Sequence, residues 1–437
     1  MNFIREIKQR TINNALFNRI IQAISFGVFG AVGSRFFILL AGILLSRILG
    51  ETLYGKYSLV HTTVLTFVSF SGLGIGATLT RYIVVHREEP EYLGKIIKTL
   101  STFCYLMSFI VALSAIFLSS KISHLIVQND ELSVYFKSAA VSIFFSSLAS
   151  IQQSILIGFE RYKENAYVQF LRCILYLILS VVLSGIFGIS GAILALIGAD
   201  VILFIVSDWL NRKQYKKEQI ALKLDLNPNI RRMLFQFTLP TFIASMLYTP
   251  TLWIANAMLT KYAGYNEMAI YAVSNQWLTI LTYIPAQFGN MKPIYTELYC
   301  NKKYAQLWKS FYRISIISSG ILIPFIIMGI LFGRTILGLY GDGYVDGAYT
   351  FYLMLIAAAI INLQAQVGSL LQAVGKMWTG FALNLIWSIV FLGLFYLLRL
   401  NGSVGYAIAY LSAYIIHTVN SLGIIFVLLR RTKKETE

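Results

Sequence analysis

Acid is scarce in this sequence. Of 437 residues only 19 are aspartate or glutamate, against 36 lysines and arginines, and charged residues together make up 13%. Cysteines number three, Cys104, Cys173 and Cys300, an odd count set in apolar runs or a basic loop, which argues against a disulfide-built fold. Histidines number four, and there is no HExxH or CxxC pair to gather a metal and no GxxxxGK[ST] loop to cradle a nucleotide phosphate. No cofactor and no metal is therefore expected, and energy has to come from an ion gradient, the membrane potential or the gradient of the cargo. Long polar loops on the outer side are missing too: the longest, 333–348, is too short for a catalytic domain.

What is present is hydrocarbon. Apolar residues make up 57% of the chain, too many for a soluble fold. They fall in runs of about 20, the length a helix needs to cross a bilayer. Twelve spans are expected, near 25–49, 58–85, 96–118, 134–157, 166–187, 190–210, 234–259, 269–291, 311–333, 349–373, 378–398 and 404–429. The first 19 residues are polar and amphipathic, so no cleavable leader is expected. The net charge of +17 does not point to nucleic acid, because the basic residues sit in short loops between spans and form no single stripe. With an inner N-terminus the inner segments hold 25 lysines and arginines and the outer ones 5. The positive-inside rule then places both termini in the cytoplasm.

The chain repeats itself. A shift of 214 residues carries Arg47, Gly50 and Tyr57 onto Lys261, Gly264 and Tyr271. The same shift carries Gly188, Gly191 and Gln152 onto Gly402, Gly405 and Gln366. One offset holding at separate places indicates duplication. Six spans per copy is an even number, so the copies insert as parallel repeats. The expected organisation is an N-terminal lobe over 1–210, a basic cytoplasmic linker over 211–232 and a C-terminal lobe over 233–437. The linker's tail, 227–232, reads as a short surface helix, as does Asn13 to Arg19. Pro240, Pro250, Pro285 and Pro324 interrupt second-half spans and are expected to kink them, around a cavity or inertly.

Charge inside the membrane is the sharpest local signal. Only Asp200 among the acids falls mid-span, with Arg35 and Arg172 the deepest cations. Each costs about 2.5–3.5 kcal/mol at a helix centre, so each is expected to face water or a partner. Arg172 and Asp200 lie at similar depth on consecutive spans and either neutralise one another or act separately, Asp200 then carrying a proton. Arg35 is left without a counter-ion, which suits an anionic ligand, phosphate above all. The repeat-equivalent positions are Thr249, Ile386 and Tyr414, so the expected cavity is asymmetric and net positive. Arg47 and Arg81, with Lys137 and Arg313, lie near span ends where side chains can snorkel. Arg47 and Arg81 are kept as further substrate-binding candidates. His417, deep in the last span, is a candidate for ion coupling or a packing histidine. Tyrosines and second-half amides suit sugars but serve equally as interhelix glue.

Ser46-Arg47-Ile48-Leu49-Gly50, Tyr54-Gly55-Lys56-Tyr57-Ser58, Gly72-Leu73-Gly74 and Leu79-Thr80-Arg81-Tyr82 together resemble the start of bacterial polysaccharide transporters of the O-antigen flippase type. These belong to the multidrug/oligosaccharidyl-lipid/polysaccharide (MOP) exporter superfamily. Leu371-Gln372-Ala373-Val374-Gly375-Lys376 and the glycine-spaced starts of spans six and twelve are similar to that family as well. The resemblance covers nearly the whole chain, though its motifs identify the family better than the cargo. It implies an all-α polytopic membrane protein, twelve helices in two six-helix lobes forming a V around a cavity. It implies an inner-membrane flippase, not an enzyme, moving an undecaprenyl-pyrophosphate-linked oligosaccharide outward by alternating access, beside a polysaccharide polymerase and a chain-length regulator. By that resemblance Arg35 is the residue set against the pyrophosphate, while Arg172 and Asp200 rest on the physical argument. Two rivals are weighed. A multidrug cation extruder of the same superfamily needs intramembrane carboxylates, and Asp200 stands alone. A polysaccharide polymerase or ligase needs a long outer loop, and none exists.

Overall fold

The computed structural model describes residues 2–72, 74–127, 130–225, 247–286, 292–374 and 377–434, with side chains in the first helix from Gly33 onward. The predicted surface helix at 227–232 and Pro240 lie outside the described residues. Among the described residues the chain is helical, without strands. The helices are α1 (Asn2–Gly72), α2 (Ile75–Val85), α3 (Pro90–Lys121), α4 (Leu132–Gly158), α5 (Tyr162–Phe187) and α6 (Ile189–Lys217) in the first half. The second half has α7 (Tyr248–Ala263), α8 (Tyr265–Ala286), α9 (Lys292–Cys300), α10 (Tyr304–Leu331), α11 (Gly333–Gly338), α12 (Ala348–Ala373), α13 (Met377–Leu398) and α14 (Gly402–Lys434). Eight described stretches are long and apolar enough to cross a membrane, so this is a multi-pass membrane protein.

α1 is two arms, not one rod. Gly50 breaks it with φ 72° and ψ 171°. Phe37 packs edge-on against Phe170 of α5, and the Tyr57 hydroxyl meets that of Tyr176, six residues further along α5. In a straight helix Phe37 and Tyr57 would stand about 30 Å apart, against about 9 Å for Phe170 and Tyr176. Both contacts hold only if the chain reverses at Gly50. Gly264, at the repeat offset, has φ 93° and ψ 178°. Gly188 and Gly402 form a second matched pair, with φ 58° at both and ψ −132° and −141°. The duplication is thus written in the backbone at turns where only glycine is unstrained. With the reversals at Gly50 and at 399–401, the helix order accommodates the twelve predicted spans.

Three local expectations need amending. The span predicted over 58–85 is interrupted: α1 ends at Gly72, and Gly74 is left-handed (φ 72°, ψ 7°) before α2 begins. Glycines here allow a close approach, since Thr80 bonds the Ser154 carbonyl at 3.0 Å and a Cβ at Gly76 would lie 2.5 Å from the Ser154 hydroxyl. Pro250 stands in the first turn of α7, where its missing N–H costs little, whereas Pro324 lies inside α10. The basic segment after 210 begins as helix, because α6 runs on to Lys217. The following residues then lie along α3, where Thr99 and the Asp225 backbone exchange hydrogen bonds of 2.9 and 3.0 Å.

Among the described residues, the apolar core shared by the two halves lies towards one end. One apolar cluster mixes Leu45, Tyr54 and Leu59 with Tyr271, Tyr340, Phe351 and Tyr406. At the opposite helix ends the cores are separate, with Ile75, Leu93, Ile151 and Tyr215 in one and Tyr295, Trp308, Leu370 and Leu428 in the other. In lipid no hydrophobic force pulls helices together, so close approach and hydrogen bonds must do it. Gly55 supplies the approach: its backbone meets the Tyr265 carbonyl so closely that a Cβ would lie 1.9 Å from the oxygen.

Candidate functional site

The shared end is a seam of polar contacts between opposite halves. The Ser46 hydroxyl donates to the Tyr340 carbonyl at 3.1 Å, and Arg47 donates to the carbonyls of Leu339 and Gly338 at 2.6 and 3.2 Å. Those carbonyls are left unpaired where the short α11 ends, a position that favours a cation. The Thr52 hydroxyl donates to Asn266 Oδ1 at 2.7 Å. These two residues are repeat mates, 214 apart, so their contact marks the pseudo-two-fold axis. Deeper in, Gln276 of α8 donates to the Ile38 carbonyl at 2.8 Å and accepts from Tyr340 at 3.3 Å. Trp253 of α7 donates to Thr63 at 2.9 Å.

Arg35 lies beyond these contacts, about 22 Å along its arm from Gly50. It is half-buried, and its guanidinium carbon stands 4.5 Å over the ring of Tyr283, a residue of α8 in the other half. Among the described residues it has no carboxylate partner and no hydrogen bond. Cys173 and Arg172 of α5 lie within its electrostatic reach.

Arg172 and Asp200 pair directly, Nε to Oδ1 at 2.8 Å. Asp200 is buried, and its other oxygen accepts from the hydroxyls of Ser142, at 3.5 Å, and Ser146. Three donors on two helices therefore surround one carboxylate, which leaves it bonded on both oxygens. Tyr176 and His61 lie within reach of both charges, and His61 lies parallel to Tyr57 with centroids 5.9 Å apart.

The other candidates are not part of this group. Arg47 is exposed in the seam. Arg81 is exposed on α2, with its guanidinium carbon 6.0 Å from the Tyr82 ring. His417 belongs to α14, its ring 6.3 Å from Tyr414 and its two nitrogens buried without a hydrogen-bond partner among the described residues. Tyr283, Ser142 and Ser146 were not singled out by sequence. Depth counting locates a charge along its helix but not the face it turns or the side chain opposite.

Comparisons with known proteins agree with this architecture. The chain is similar to the EPS I polysaccharide export inner membrane protein EpsE of Ralstonia nicotianae, with 23% identity covering 90% of this chain and 91% of that one. It is also similar to a candidate O-antigen transporter of Shigella flexneri, with 23% identity covering 76% and 79%. Among solved structures, an inward-facing multidrug-resistance MATE transporter of the MOP superfamily matches with a TM-score of 0.79 at 15% identity, covering 92% of this chain and 96% of that one. An outward-facing MATE transporter of the same superfamily matches with a TM-score of 0.68 at 16% identity, covering 94% and 96%. The fold is therefore that of the MATE transporters. The family described as polysaccharide biosynthesis protein matches residues 12–290, well over half the chain, and this chain belongs to it.

Proposed function

We propose that the chain is a flippase that carries an undecaprenyl-pyrophosphate-linked oligosaccharide across a bacterial inner membrane by alternating access. Its lobes are 1–210 and 233–437, joined through 211–232, with both termini cytoplasmic. The positive-inside count puts the closed seam on the outer face and the separately cored ends on the cytoplasmic face. In this state the cleft takes its load from the inside. A sugar-pyrophosphate head cannot cross hydrocarbon unaided, whereas a wet cationic cleft removes that barrier and leaves the polyprenyl tail in lipid. Polysaccharide export and O-antigen transport by the relatives support the cargo class.

The observation that carries the reading is the charge balance in the cleft. Arg172 and Asp200 cancel, so Arg35 is the deep charge left over, and it sits between the lobes. An uncompensated guanidinium selects an anion, and its fork matches phosphate. The same balance weighs against a cation extruder, because Asp200, the carboxylate such a protein needs, is already held by an arginine and two serines. Arg172 serves by holding Asp200 away from the site, Arg81 lies towards the loading side, and Arg47 serves the seam.

The test is surface polysaccharide in a deletion strain complemented with variants, normalised to membrane-inserted protein. A charge-assisted bidentate contact is worth about 1.5–3 kcal/mol, so Arg35→Ala is expected to weaken headgroup binding about 10- to 150-fold. Export should fall with it and lipid-linked intermediate should accumulate. Arg35→Lys should retain part of the output. Wild-type export from Arg35→Ala would refute the cationic grip.

A further inference from the structure

We infer that Tyr283 is the positioning residue for the Arg35 guanidinium, so that the anion site is composite, with its charge from one lobe and its aromatic support from the other. This rests on the pyrophosphate reading of Arg35. The guanidinium carbon lies 4.5 Å over the Tyr283 ring, within the range where an aromatic face attracts a cation. A guanidinium is planar and carries five N–H donors around its rim. A carboxylate partner would occupy two of those donors in a fork and cancel the charge. A ring does neither: it attracts the cation through its quadrupole and adds no countercharge.

The surroundings give the ring a task. Asp200 is bonded to Arg172 at 2.8 Å and so gives Arg35 no countercharge. Attraction from the neutral ring of Tyr283 holds Arg35 in place and leaves the site positive. It also orders a long side chain before the ligand arrives, which lowers the entropy lost on binding. Because the two residues belong to different lobes, a headgroup gripped here sits on the junction that must part as the cleft changes sides.

The test uses the purified full-length protein in detergent with undecaprenyl pyrophosphate as the probe and undecaprenol as the phosphate-free control. Tyr283→Leu is expected to weaken probe binding about 3- to 30-fold, the range of a partly desolvated cation–π contact. Tyr283→Phe keeps the ring face and should bind within about two-fold of the original. In an Arg35→Ala background Tyr283→Leu should cause no further loss, since the tyrosine acts through the arginine. Equal losses from Tyr283→Leu in both backgrounds would mean that the ring merely packs, and would overturn the inference. So would a Tyr283→Phe variant as weak as Tyr283→Leu, which would assign the role to the hydroxyl. Weak binding by Arg35→Ala beside unchanged binding by Tyr283→Leu would overturn the positioning role and leave the pyrophosphate reading standing. Unchanged binding by Arg35→Ala would overturn both.

Discussion

Asp200→Asn is the most informative single change in the first lobe. The substitution keeps the shape and the bonds to Ser142 and Ser146 but removes the charge opposite Arg172. Removing one partner of a fully buried pair costs about 3–5 kcal/mol, because the remaining ion is stranded. Here the side chain of Asp200 is 3% exposed and that of Arg172 26% exposed. Water reaches the arginine in part, so the expected loss is about 2–3 kcal/mol. With the first lobe as the melting unit, this lowers the midpoint of thermal unfolding in detergent by roughly 5–10 °C. The neutral double variant Arg172→Gln/Asp200→Asn strands nothing and should recover most of the loss. The exchange Arg172→Asp/Asp200→Arg should recover part of it, because the serine hydroxyls that now donate to a carboxylate can turn to accept from a guanidinium. Surface polysaccharide per inserted protein should follow the same order. If neither double variant improves on Asp200→Asn, mutual neutralisation is the wrong account and Asp200 acts on its own, as a proton carrier would.

The seam offers sharper tests. Gly55→Ala places a methyl about 1.9 Å from the Tyr265 carbonyl oxygen, and backbone on both sides must move, so the seam should loosen. An outside-only thiol reagent should then label Thr52→Cys faster in that background, and unchanged labelling with unchanged transport would refute the close approach. Thr52→Cys with Asn266→Cys, in a Cys300→Ser background that removes the exposed native thiol, should cross-link through a short reducible reagent. The cross-link should stop transport until it is reduced; transport persisting in the cross-linked protein would mean that the seam does not open. Reporter fusions after Lys217 and after Glu437 should both read cytoplasmic, and a periplasmic signal at either would invert the assignment of faces.

How much of this was legible in the chain depends on the range of the interaction. The duplication was legible because a constant offset of identical residues survives in one dimension, and Gly50 with Gly264 then shows the same left-handed turn in space. The places of Arg35, Arg172 and Asp200 along their helices were legible because a helix advances a fixed rise per residue. Pairing of Arg172 with Asp200 was one of two open readings, since consecutive spans meet but their facing sides were unknown. Tyr283 was out of reach: it stands 248 positions from Arg35 and is one of 27 tyrosines, with no local feature to set it apart. Arg47 was read as a substrate candidate from its residue type, but its bonding partners are backbone carbonyls at 338 and 339, which no side-chain pattern reveals.

The way the two copies differ bears on the proposed site between them. Their turns agree, but their polar interiors do not. Gln152 is bonded to Tyr105, Asp208 and Asn211. Its mate Gln366 is fully buried with both amide atoms unbonded among the described residues, because positions 422 and 425 hold leucine and isoleucine where the first copy has Asp208 and Asn211. Arg47 ties the seam, whereas its mate Lys261 approaches the Tyr262 ring at 5.7 Å. Where the first copy has Arg172 and Asp200, the second has Ile386 and Tyr414, and around them aromatic rings pack in series: Tyr248 on Trp387 at 5.4 Å, Trp387 on Tyr414 at 5.2 Å, Phe391 on Tyr406 at 5.2 Å. At these paired positions the first copy has charge and the second is surrounded by aromatic rings. A ligand that is both anionic and carbohydrate, as proposed, asks for both. A cation of the first half meets a ring of the second at Arg35 over Tyr283, and again in the seam at Lys56, 5.5 Å from the Tyr265 ring.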